Sequence, residues 1–167
     1  MPTRIRPIEA GDLAELTRIY NHYIRETAIT FDIEPYTLEG RRPWLESFDS
    51  DGPYRCFVAE IDGVAAGWAS SGRFRTKAAY DSSVESTVYL APEAIGTGLG
   101  TRLYQALFDS LADTDVHLAL GGVTLPNPAS IALHERLGFV SIGVFREVGL
   151  KFDRYWDVEW FQKQLKD

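Results

Sequence analysis

The chain has 167 residues, 45% of them hydrophobic and 13% aromatic, enough for one sizeable core and too few for two ordinary domains, so residues 1–167 are read as one domain. Lys plus Arg number 17 against 24 Asp plus Glu. The resulting net charge of −7 argues against nucleic acid as a partner and requires that any anionic ligand meet a local positive patch. Cys56 is the only cysteine, which excludes an intrachain disulfide and a Cys-rich zinc site, and no apolar run approaches the roughly 18 residues that span a bilayer. Met1–Pro7 carries charges with no apolar stretch behind them, so a soluble, cytoplasmic protein without membrane contact is expected.

A short strand around Thr3–Pro7 opens the chain. A helix follows, in which Leu13, Leu16, Tyr20, Tyr23 and Ile24 recur at three- and four-residue spacing and make one apolar face. Ala28–Tyr36 reads as extended, ending in Glu34-Pro35, where proline disfavours helix in the residue before it. Thr37 is placed to cap a second helix from about Leu38 to Phe48. Tyr54–Ile61, Val64–Arg73 and Val84–Leu90 read as strands of an antiparallel meander, the first two joined by the hairpin turn Asp62-Gly63.

Beyond Leu90 the pattern changes. Gly96, Gly98 and Gly100 punctuate a loop, and Leu103, Leu107 and Leu111 then mark a helix face. A strand at Val116–Val123 is broken by Pro126-Asn127-Pro128, and a helix from Ala129 to Leu137 ends at Gly138. Aromatic-rich strands near Phe139–Phe145 and Tyr155–Phe161 complete an α/β fold in the order β-α-α-β-β-β-α-β-α-β-β. Trp156, Trp160 and Phe161 in this tail are read as exposed aromatics able to cover a homodimer partner.

Glycines at alternate positions between a strand and a helix leave backbone N–H groups open at a helix N-terminus, where the dipole favours phosphate. Two familiar phosphate loops fail on spacing. Thr101-Arg102 follows Gly100 where the P-loop needs Lys-Ser/Thr, and Thr101 or Leu103 stands where a dinucleotide loop needs its third glycine. The remaining ordered set is a strand, the glycine loop, a helix, a strand, and Asn127 opening a helix that ends in Leu137-Gly138-Phe139. It resembles the coenzyme A-binding core of the GNAT superfamily of N-acetyltransferases, over nearly the full chain.

Dispersed segments are similar to the branch that acetylates phosphinothricin and methionine sulfone or sulfoximine: Tyr20–Ile24, Thr30-Phe31, Glu34-Pro35, Tyr80-Asp81, Val84–Tyr89, Leu125–Asn127, His134-Glu135 and Gly149–Asp157. The resemblance implies a GNAT fold, a mixed central sheet flanked by helices, with acetyl-coenzyme A as cosubstrate and no metal. It assigns the coenzyme to the Val88-Tyr89-Leu90 strand, to the loop Gly96-Thr97-Gly98-Leu99-Gly100-Thr101, and to Asn127 and Ser130. One departure stands out: Ile95 occupies the position where such loops usually begin with Gln or Arg, and backbone contacts limit its effect to affinity.

An acceptor amine arrives as an ammonium and attacks a thioester only after losing a proton. Glu85, flanked by apolar Val84 and followed by the coenzyme loop, matches the proposed general base of the branch; unaided, a strand Glu reads as solvent-facing. His134 lies where many relatives carry a proton donor for the departing thiolate, and it reads equally as a partly buried structural histidine. Asn127 is suited both to cap its helix and to bond the pantetheine arm.

Arg73, Arg75 and Lys77 supply the positive patch. By resemblance Arg75, Lys77 and Tyr80 hold the anionic groups of the acceptor, while Phe31, Thr87 and Tyr89 line the remaining pocket. The implied activity is direct acetyl transfer to the α-amino group of a small anionic, amino-acid-like substrate. The rivals are a methionine sulfone or sulfoximine, another amino acid, a protein N-terminus, and a non-catalytic coenzyme A-binding sensor on the same fold.

Overall fold

The computed structural model describes residues 1–167. Its elements run in the expected order: β1 Thr3–Pro7, α1 Leu13–Glu26, α2 Leu38–Glu46, β2 Cys56–Ile61, β3 Val64–Arg73, β4 Ser83–Leu90, α3 Leu99–Ser110, β5 Leu118–Thr124, α4 Pro128–Arg136, β6 Val140–Lys151 and β7 Arg154–Gln164. They build one seven-stranded sheet ordered β1-β2-β3-β4-β5-β7-β6, with β4 and β5 its one parallel pair.

Strand period two divides β4 between the two faces. Tyr89 stacks on Trp68, its register partner in β3, at 5.1 Å between ring centroids, and Tyr20 of α1 and Trp44 of α2 meet Trp68 edge-on. Leu16, Ile19 and Ile24 of α1 are fully buried, as the helical spacing required. On the opposite face Tyr104 of α3 and Phe161 of β7 enclose His134 of α4.

The chain's last strand is not at the sheet edge. β7 lies between β5 and β6, so Phe161 is 1% exposed and Trp156 and Trp160 are partly covered, which corrects the expectation of an exposed aromatic tail. The edge belongs to β6, whose Val140, Ile142, Phe145, Val148, Leu150 and the turn residue Phe152 are each about half exposed or more. β6 and β7 are also longer than expected, because their connecting turn, Phe152-Asp153, takes positive φ values of 55° and 57° without any glycine to mark it.

Candidate active site

β4 and β5 are paired only from Ser83 to Glu85 against Leu118 to Leu120, and then part. At the fork the Ser86 hydroxyl donates to the Leu120 carbonyl at 3.2 Å, taking over where the ladder ends. Beyond it β4 presents an unpaired side to a cleft lined by Ser86, Thr87, Val88, Tyr89, Gly122, Val123, Thr124, Asn127, Ser130 and His134. Ile29 from the α1–α2 loop and Tyr104 also reach it, and neither was anticipated: Tyr104 was hidden inside an apolar helix face, and beside Ile29 the Thr30-Phe31 segment drew attention to Phe31 instead.

The glycine loop follows directly. Gly96 and Gly98 both have φ of +81°, and a Cβ on either would meet nothing within 4 Å, so the backbone is bare toward open space. Gly98 caps α3, and the first bond of the helix is Arg102 N–H to the Gly98 carbonyl, at 3.3 Å. The N–H groups of Leu99, Gly100 and Thr101 therefore point outward without helical partners, and the first turn holds no acidic residue to compete with an anion. Gly100 belongs to the helix and serves packing, since a Cβ there would touch Leu133 of α4 at 3.4 Å. Thr97 bonds the Ala94 carbonyl at 2.6 Å and fixes the loop, while Ile95 is exposed. This bare cradle beside a split strand fits the pyrophosphate and pantetheine arm of coenzyme A.

Asn127 caps α4 by accepting the Ser130 N–H at 3.1 Å through Oδ1, which leaves its amide donors free in the cleft. His134 is 4% exposed, and its Nδ1 lies 2.7 Å from the Ser130 carbonyl. A carbonyl only accepts, so Nδ1 carries the proton and Nε2 is the lone-pair end. A Cβ on Gly121 would sit 2.9 Å from that Nε2, so glycine is what lets the ring reach the fork. Burial lowers the His134 pKa, more than the Ser130 carbonyl raises it, and the ring is held neutral.

Glu85 stands on the last paired step of β4, on the face shared with Thr87 and Tyr89, beside its register partners Gly72 and Leu120. Its carboxylate makes no hydrogen bond or ion pair, and burial alone raises its pKa above the usual carboxylate range. Burial also pushes the Tyr89 phenol up to about 12, so that phenol stays protonated and Glu85 is the carboxylate at the fork suited to accept a proton.

Leu120 leads from Glu85 into a cavity of about 250 Å³ lined also by Phe74, Arg75, Ile142, Phe145 and Trp160. Arg75 reaches the Tyr80 hydroxyl at 3.3 Å and lies over the Phe74 and Tyr80 rings. Arg75, Lys77 and Tyr80 line an open depression beside it. Arg73 pairs instead with Asp81 at 3.6 Å. Phe31 does not join Thr87 and Tyr89: its ring lies against Gly149 of β6, and Ile29 takes the place in the cleft.

Residues 16–139 match the model of the acetyltransferase (GNAT) family. The chain is 53% identical over 165 residues to a phosphinothricin N-acetyltransferase of Streptomyces coelicolor, covering 97% of this chain and 96% of that one. It is 35% identical to an L-methionine sulfoximine/L-methionine sulfone acetyltransferase of Salmonella typhimurium, covering 98% and 95%. Its fold superposes with a TM-score of 0.91 on a GNAT superfamily phosphinothricin acetyltransferase of Sinorhizobium meliloti solved in complex with acetyl-coenzyme A, at 29% identity and covering 98% and 89%. The unpaired carboxylate, the strand fork and the glycine cradle follow one another along β4 and the loop after it, and with these relatives the chain belongs to the GNAT family and is an acetyl-coenzyme A-dependent N-acetyltransferase.

Proposed function

We propose that the enzyme, a single domain over residues 1–167, acetylates the α-amino group of a small anionic amino-acid-like acceptor, with Glu85 as general base. The observation that carries this is the Glu85 carboxylate, partly buried and without a partner at the fork where the thioester carbonyl and the amine have to meet. The amine gives its proton to Glu85, directly or through a water, and attacks the carbonyl carbon. N–H groups of the Val88–Leu90 segment that face the side β5 has left polarise the carbonyl oxygen. The carbon–sulfur bond then breaks, and the thiolate takes up the second proton that the amine nitrogen sheds as it becomes the amide.

His134 enters neutral with Nε2 unprotonated, so it serves the last step as a relay that first accepts a proton, not as a stored acid. Leu99–Thr101 amides bind the pyrophosphate, and Asn127 and Ser130 border the pantetheine. Glu85→Gln should bind acetyl-coenzyme A normally and lose roughly 10²–10⁴-fold in kcat/KM, with part recovered at high pH where the amine arrives deprotonated. Near wild-type turnover at neutral pH would refute the assignment.

Arg75 and Lys77 support an anionic acceptor, in line with the relatives named for phosphinothricin. The mainly apolar cavity under Arg75 favours a second reading, a methionine sulfone or sulfoximine, which coenzyme A release against an acceptor panel will separate. A homodimer is supported by the long apolar edge of β6, which an isolated chain would leave open to water. The lone, buried Cys56 accords with a reducing compartment, and we place the enzyme in the cytoplasm.

A further inference from the structure

Gly149 and Lys151 fall in the Gly149–Asp157 segment, to which the chemistry above gives no role. Lys151 is 4% exposed, unusual for a lysine, whose charge is costly to bury unless it is held. Its ammonium donates to the Thr30 carbonyl at 2.8 Å, and Asp32 is its charged neighbour. Two residues earlier on the same strand, the Phe31 ring fills the place of a side chain at Gly149, where a Cβ would lie 2.2 Å from a ring carbon.

The strand end carrying this pair is itself fixed. The Trp156 indole N–H donates to the Lys151 carbonyl at 2.8 Å, and the Arg154 guanidinium lies 3.9 Å over the Trp156 ring. The α1–α2 loop, by contrast, has no strand or helix of its own between Thr27 and Thr37. Apart from this strand, Tyr20 holds its centre: the Tyr20 hydroxyl meets Thr30 Oγ1 at 2.8 Å and bonds Asp32. Ile29, one residue before Thr30, lines the cleft with Thr87 and Tyr89.

We propose that Gly149 and Lys151 form a socket for Thr30 and Phe31 that clamps the α1–α2 loop over the cleft, making Lys151 a positioning residue for the acceptor. This rests on reading the space beside Thr87 and Tyr89 as the acceptor side of the cleft. No residue of the glycine cradle belongs to the socket, and Ile29 stands beside Thr87 and Tyr89, so the socket governs acceptor binding and leaves the pyrophosphate contacts that anchor the coenzyme alone.

The test compares Lys151→Met, Lys151→Arg, Gly149→Ala and Gly149→Ala combined with Phe31→Ala. Hydrogen exchange of residues 28–32 and KM for each substrate are measured, with methionine sulfone and phosphinothricin as acceptors. Losing one charge-assisted bond in Lys151→Met should speed exchange in residues 28–32 and raise the acceptor KM, each by on the order of tenfold, with α3 exchange and the acetyl-coenzyme A KM unchanged. Lys151→Arg should recover part of both. Gly149→Ala should act alike, and adding Phe31→Ala should cancel its steric part. Unchanged exchange in Lys151→Met, or equal rises in both KM values, overturns the proposal; if that variant does not fold, Gly149→Ala decides by the same readouts. If the wild type turns over neither acceptor, the acceptor reading fails while exchange still judges the socket.

Discussion

Two glycines of this chain share one backbone state and differ only in place. Gly98 at the start of α3 and Gly63 in the β2–β3 turn both have φ of +81° and open space where a Cβ would go. Valine at either position strains an L-residue in the left-handed region by about 1–2 kcal/mol, with no clash added. For a chain of this size each kcal/mol lowers Tm by about 2–4 °C, so Gly98→Val and Gly63→Val should both lose about 2–8 °C. Their binding should diverge. A valine at 98 stands where the cradle of unpartnered Leu99–Thr101 amides begins, and losing one charge-assisted phosphate contact there should weaken acetyl-coenzyme A by on the order of tenfold to a hundredfold. Gly63→Val should bind it as the wild type does. Calorimetric titration of both variants, folded by circular dichroism, makes the comparison. Equal affinities would show that the Gly98 loop does not hold the coenzyme.

The raised pKa of Glu85 also predicts a stability signature, because the fold holds that proton more tightly than the unfolded chain. Wild type loses stability as pH rises from the unfolded Glu value through the folded one, so Glu85→Gln should have the higher Tm above that window and no advantage below it; an equal Tm difference at all pH values refutes the buried charge. Arg75→Ala and Lys77→Ala should raise the acceptor KM by on the order of tenfold or more while sparing acetyl-coenzyme A, and an effect on the coenzyme alone would make the patch ordinary surface. Leu150→Asp on the exposed edge strand should shift sedimentation from dimer to monomer, and a monomeric wild type would end the dimer reading.

Local chemistry written in the sequence determined the elements. The spacing of Leu16, Tyr20 and Ile24, the Asp62-Gly63 turn, the Thr37 and Asn127 caps and the helix-ending Gly138 each act within a few residues, and all eleven helices and strands follow in the expected order. The glycine loop was legible for a related reason, since open backbone beside a helix start is a local statement of chemistry; Glu85 was singled out only through the resemblance, because a strand Glu by itself reads as solvent-facing. What the sequence left open concerns contacts between distant segments. Threading β7 between β5 and β6 buries Phe161 and moves the apolar edge to β6, because strand order is set by the sheet as a whole. The early parting of β4 from β5 creates the cleft, and Gly121 admits the His134 ring to it with Nδ1 committed to Ser130. Phe31 leaves the cleft for Gly149, and Lys151 is buried against Thr30, 121 residues away in the chain. Such pairings depend on which surfaces remain to be covered once the sheet has closed, and only the tertiary structure decides them.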